Sequence, residues 1–216
     1  MIIYNPHDKV LDASRLKQAE AILSSIPAKH CFITGSFLHK ERYNDIDVFV
    51  ISRSKKEIAV KDKKVKVTVV DFNSMHSLFF HSISKSCVSK SILPRKDLKV
   101  TLADYWGVVN EAVPSLLNRK KGFEKVVRFL VLYTEYLRSG EILDTFELDK
   151  KVSSFKGYGD VLDYVRKEVP GIVRKMSTGS YARRFFYTQA GYYKGSRDYD
   201  AQAFLLGLAC EVARSG

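Results

Sequence analysis

The sequence predicts an α+β protein in two parts, a mixed α/β half over residues 1–95 and an α-helical half over residues 96–216. Three observations predict it: apolar runs with a period of two between residues 31 and 71, an amphipathic helical repeat ahead of them, and a change to helical periodicity from about Thr101. The break falls at Ser91-Ile-Leu-Pro-Arg-Lys, because proline stops the preceding element and the charges keep the link solvated.

Taken in order, the segment from Leu11 places Leu11, Leu16, Ala19, Ile22 and Leu23 near one helical face and stops before Pro27, which reads as an amphipathic helix. Cys31-Phe-Ile-Thr is a short buried strand ended by Gly35-Ser36, where glycine permits a tight turn. The polar residues 40–44 form a loop. In Asp45-Ile-Asp-Val-Phe-Val-Ile the alternation puts Ile46, Val48 and Val50 on one side of a strand and Asp45 and Asp47 on the other. A lysine-rich connector over residues 55–64 leads to Val65-Lys-Val-Thr-Val-Val, with Val65, Val67 and Val69 facing inward. In the second half, Val126, Leu130, Tyr133 and Leu137 make one helical stripe, and Phe204, Leu205, Leu208 and Val212 another.

A chain of 216 residues, 45% apolar and 12% aromatic, can bury a sizeable core. No stretch approaches the roughly 20 apolar residues needed to span a bilayer, and residues 1–11 lack an apolar run behind a basic start. The expectation is a cytoplasmic protein with no membrane association. Cys31, Cys87 and Cys210 stand far apart, so reduced, half-buried thiols are expected rather than disulfides or a metal knuckle. The formal charge of +12 is shared by both halves and favours acidic or phosphate-bearing partners.

The chemistry concentrates at the first turn. Two aspartates one residue apart on a strand project from the same face and repel by roughly 4 kcal/mol at an effective dielectric of about 20. Such a pair calls for a cation, and magnesium suits it, because that ion takes one or two carboxylates together with the oxygens of a substrate triphosphate. Gly35 lets the backbone approach a phosphate, and Ser36 offers a hydroxyl and an amide donor.

Ile33-Thr-Gly-Ser followed by Asn44-Asp-Ile-Asp-Val-Phe-Val resembles the signature of the DNA polymerase β superfamily of nucleotidyltransferases, over about residues 28–71. The resemblance implies a nucleotidyltransferase fold with a small mixed β-sheet flanked by helices, followed by a C-terminal α-helical domain. It implies Asp45 and Asp47 as catalytic, metal-binding carboxylates and the Gly35-Ser36 turn as the holder of a nucleoside triphosphate. The implied reaction moves a nucleoside monophosphate to an acceptor hydroxyl on RNA, protein or a small molecule, with Mg2+ as cofactor and pyrophosphate released. Positive charge tilts the acceptor toward RNA. The alternatives are a catalytically weak or inactive member serving as a nucleotide- or RNA-binding module, or the toxin of a toxin–antitoxin pair with an antitoxin-like protein partner.

One departure stands out. The family commonly carries a third carboxylate on the outward face of the next strand, and here Lys66 occupies that place, as a phosphate-binding candidate. Asp71 replaces it only if the strand bulges or ends first, since its parity matches Val65, Val67 and Val69. Tyr181-Ala-Arg-Arg-Phe-Phe-Tyr and Tyr192-Tyr-Lys-Gly-Ser-Arg mix cations with aromatics, and their first reading is core with surface arginines rather than nucleic-acid contact. His76 and His81 are read as ordinary, and residues 82–91, with Lys85 and Lys90, as a capped turn and helix start.

Overall fold

The structure, a computed structural model, describes residues 1–4, 7, 11–53, 58, 60, 62–117, 123–177, 182, 184–186 and 207. The stripe of Phe204, Leu205, Leu208 and Val212, the Tyr192 segment and Cys210 lie outside the described residues. So does half of the lysine-rich connector.

The chain is α+β, with a five-stranded mixed sheet and, among the described residues, seven α-helices and one 3-10 helix. It divides into two units, Met1–Lys99 with Ile142–Lys150, and Val100–Glu141 with Lys151–Gly216. The helical half of the sequence therefore lends a short segment to the sheet unit.

In the sheet unit, β1 (Ile2–Tyr4), β2 (Cys31–Thr34), β3 (Ile46–Ser52), β4 (Val65–Asp71) and β5 (Cys87–Ser89) lie in the order β1-β5-β2-β3-β4. All neighbours are antiparallel except β3 and β4, which run parallel. Ahead of β2, α1 (Ala13–Ser25) starts where Asp12 accepts the Arg15 N–H, and it buries Ala19 and Leu23. Leu11, Leu16 and Ile22 pack beside them, as their spacing predicts.

Both faces of the sheet are covered, which decides what each strand exposes. One core joins Ala19, Leu23, Ile33, Ile46, Val48, Val50 and Val65 beneath α1. The other joins Phe32, Phe49, Ile51 and Val70 to Phe80 and Ile83 of α3 (Leu78–Lys85). Asp47 shares the parity of Phe49 and Ile51, so it lies on the second face, just past the end of its apolar cluster. A one-residue slip of β3 would exchange Val48 for Asp47 in the first core, and burying an unpaired carboxylate costs several kcal/mol. The apolar pattern thus pins the register of the acidic residues.

β4 keeps strict alternation, but its second face, expected to point outward, is buried at its far end. Val65 and Val67 pack on the first core, but Val70 enters the second. Residues 82–91 are not a turn and helix start: they comprise the end of α3 and the strand β5, paired with both β1 and β2. The small hydroxyl residues there hide a buried strand, because Ser82, Ser89 and Ser91 donate to backbone carbonyls. Ser89 Oγ donates to the Cys31 and Ser91 carbonyls at 3.3 and 2.6 Å.

In the helical unit, α4 (Leu102–Leu117), α5 (Phe123–Ser139) and, following α6 (Thr145–Ser153), α7 (Tyr158–Met176) build an apolar core in which α4, α5 and α7 supply Trp106, Val109, Leu130, Val131, Val165 and Val169. A capping box starts α4: Thr101 Oγ1 accepts the Asp104 N–H at 3.2 Å, and Asp104 accepts the Thr101 N–H at 2.8 Å. A buried polar chain crosses the core, Tyr105 to Thr134 at 3.0 Å and Tyr164 hydroxyl to Glu135 at 3.0 Å. Phe186 is fully buried with its ring edge-on to Trp106, while Arg184 is exposed, which is the core-with-surface-arginine pattern.

Candidate functional site

Asp47 on β3 stands between Thr34 of β2 and Lys66 of β4 in the sheet register, so these three side chains share one face. Asp45 sits just ahead of β3, two residues back and on the same side. Thr34 is buried, donates to the Ser86 carbonyl at 2.9 Å, and approaches the Thr145 hydroxyl at 3.5 Å. The row across the sheet is therefore firmly held on its β2 side.

Between β2 and β3 the chain makes one helical turn, α2 (Ser36–His39), in place of a simple reverse turn. Gly35 precedes it with φ +83° and ψ −157°, a backbone region open essentially to glycine alone. A Cβ at Gly35 would stand 3.2 Å from Asp47 Oδ2. The glycine backbone is thus laid directly against a carboxylate, closer than a residue with a side chain could sit unless one of the two yields. Phe37 and Leu38 of α2 are buried in the first core and tether the turn from below.

Lys66 makes an ion pair with Asp45. That hydrogen bond, followed by the charges of Asp45 and Asp47, raises the Lys66 pKa above its ordinary value against a small desolvation effect. The ammonium partly relieves the repulsion between the two carboxylates. Asp71 does not take the third carboxylate's place. It pairs with Ser52, five residues along from the Asp47–Lys66 pair, which is roughly 16 Å at the usual strand rise. Its carboxylate caps the 3-10 helix Phe72–His76 by accepting the Asn73 N–H at 2.7 Å.

Among the described residues no group of three or more histidine, cysteine, aspartate or glutamate side chains could hold a metal ion. Two carboxylates with an ammonium beside them suit a magnesium ion delivered by its triphosphate better than a resident ion, because the phosphates would supply the remaining ligands.

The other residues singled out from the sequence serve the fold. His81 Nε2 donates to the Lys96 carbonyl at 2.9 Å, and burial lowers its pKa; His76 is exposed. Lys85 binds the Ile142 carbonyl and Glu147, and Lys90 the Ile26 carbonyl, so both lysines tie backbone rather than await a phosphate. Cys31 and Cys87 are fully buried, deeper than expected, and burial pushes the Cys87 thiol up to about 12.

The structure adds residues that composition did not single out. Arg15 reaches the loop after Gly35, and Asp149 binds His39 at 3.3 Å and Lys40 at 2.7 Å on the same loop. Their partners are 22 to 110 positions away in sequence, beyond any local signal. No helix of the described residues is long and apolar enough to cross a membrane. In comparisons with known proteins, the chain matches no family model, no curated protein and no solved structure.

Proposed function

We propose that this chain is a nucleotidyltransferase of the polymerase β type, with that superfamily's fold in its sheet unit. It binds a nucleoside triphosphate with magnesium at Asp45, Asp47 and the Gly35-Ser36 turn, and passes the nucleoside monophosphate to an acceptor. One observation carries this reading: Gly35, in a glycine-only conformation, lies against Asp47 with Asp45 on the same face. A turn stripped of its side chain beside paired carboxylates is what a metal-bound triphosphate needs.

Magnesium brought with the nucleotide would neutralise charge at the reacting phosphate. Asp45 and Asp47 would hold that ion, and the Gly35-Ser36 backbone and hydroxyl would donate to phosphate oxygens. The acceptor hydroxyl oxygen would bond the α-phosphorus while the bond to the bridging oxygen breaks, pyrophosphate leaves and the hydroxyl proton passes to solvent. Lys66, released from Asp45, would grip a phosphate as a point charge. RNA is the acceptor that the positive net charge favours.

The Lys66–Asp45 pair favours a second reading, a catalytically weak nucleotide- or RNA-binding member of the same fold, because a protonated lysine takes no proton from an acceptor hydroxyl. A toxin role with an antitoxin-like partner is a further variant that co-purification would reveal.

Titration calorimetry with a triphosphate, with and without magnesium, tests the site. Affinity should depend on magnesium and fall on replacing Asp45 and Asp47 by Asn. Unchanged affinity and metal dependence in that double variant would refute the assignment. Incubation with each labelled triphosphate and total RNA or protein then separates the readings, since label transfer requires the enzyme and nucleotide binding without transfer the module.

A further inference from the structure

We infer that Arg15 is a positioning residue for the triphosphate site: from α1 it fixes the loop between β2 and β3 and so holds the Gly35-Ser36 turn in register with Asp45 and Asp47. The inference rests on the functional reading above. Arg15 Nη1 donates to the Phe37 and Lys40 carbonyls, both at 2.7 Å, and Nη2 donates to the Glu41 carbonyl at 2.8 Å. Its guanidinium carbon also lies 5.1 Å from the centroid of the Tyr43 ring and 5.8 Å from that of Phe37. Those two rings meet edge-on at 5.0 Å.

These contacts fall at both ends of the loop. Phe37 is two residues after Gly35, and Tyr43 is two residues before Asp45, so one guanidinium bridges the exit from the turn to the approach of the carboxylates. Tyr43 is held to α1 a second time by its hydroxyl, which donates to Gln18 at 3.3 Å. The chemistry is specific to arginine: three carbonyls around one edge and two ring faces need a flat cation with several donors in fixed directions. The carbonyls belong to the end of α2, where a helix too short to satisfy them leaves acceptors and a negative dipole end. Asp149 takes His39 and Lys40 of the same loop. The loop is therefore braced by two distant residues, and Gly35 and Asp47 are aligned before any ligand arrives.

A purely structural cap and a positioning residue differ in what they move. The test measures magnesium–ATP affinity in the full-length parent, Arg15→Ala and Arg15→Lys, at a temperature where circular dichroism shows all three folded. Alanine propagates a helix well, so α1 survives; Arg15→Gln replaces it if Arg15→Ala melts early. Arg15→Ala should bind about tenfold more weakly, well within the hundredfold that a misplacement of about 1 Å can cost. Arg15→Lys should stay weakened, because an ammonium cannot reach all three carbonyls. Added guanidinium at millimolar concentration should restore Arg15→Ala, while sodium chloride at the same ionic strength should not. Affinity of Arg15→Ala within twofold of the parent, or weakening that guanidinium leaves untouched, overturns the inference. A parent that binds no triphosphate overturns the functional reading, and the positioning role falls with it.

Discussion

Replacing Gly35 by alanine puts two separable strains on the same turn. The first is backbone: φ +83° with ψ −157° lies where residues bearing a Cβ cost of order 1–3 kcal/mol. The second is contact, since the new Cβ would stand 3.2 Å from Asp47 Oδ2 and one of the two must yield by a few tenths of an ångström. Gly140 offers the control. It has nearly the same φ, +78°, but nothing within 4 Å of a built Cβ, so Gly140→Ala carries backbone strain alone. A loss of about 2 kcal/mol in Gly35→Ala corresponds to roughly 4–8 °C in Tm for a chain of this length. Thermal melts give the stability change, and magnesium–triphosphate titration gives the effect on the site. Gly35→Ala should lose binding beyond its loss of stability, whereas Gly140→Ala should lose stability only. Should Gly35→Ala melt within 1 °C of the parent and bind normally, both the strain and the close approach to Asp47 are wrong.

Lys66→Asp places a third carboxylate beside Asp45 and Asp47 and should tighten magnesium binding in calorimetry without nucleotide; unchanged affinity removes Lys66 from the site. Burial alone would raise the Glu135 pKa, but hydrogen bonds from Arg138, Tyr164 and Lys151 outweigh it and leave the carboxyl below its usual range. Stability from a depressed carboxyl is fully present above its unfolded value, near 4.5, and is lost as pH falls through the folded one. Glu135→Gln should therefore cost about 1 kcal/mol at neutral pH, the low end because Arg138 and Lys151 remain half in solvent, and should flatten the acid limb of Tm against pH. A parallel acid limb in the variant would refute it. Tyr105→Phe should cost about 1 kcal/mol in denaturant unfolding by removing the buried bond to the Thr134 hydroxyl, and no measurable loss would mean that Tyr164, which also bonds Thr134, satisfies it alone.

Strands β2 and β3, the turn at Gly35 and helices α1 and α5 were legible from sequence, because each rests on periodicity within a dozen residues. The alternation of Ile46, Val48 and Val50 also put Asp45 and Asp47 on one face, since a strand's pleat is a local property. β5 was not legible: Ser89 satisfies its hydroxyl on the distant Cys31 carbonyl, and the Ser86 carbonyl beside it accepts from Thr34, so a central strand looks like a polar turn. The sequence likewise left open what stands beside the acidic pair. The parallel register of β3 and β4 brings Lys66 to Asp45 across 21 positions and carries Asp71 away to cap a 3-10 helix. The segment Ile142–Lys150 joins the sheet unit because Lys85 binds the Ile142 carbonyl and Glu147, and Asp149 binds His39 and Lys40. Local pattern determined which residues could share a face; register and long-range hydrogen bonds, whose partners lie tens of positions apart, decided which of them meet.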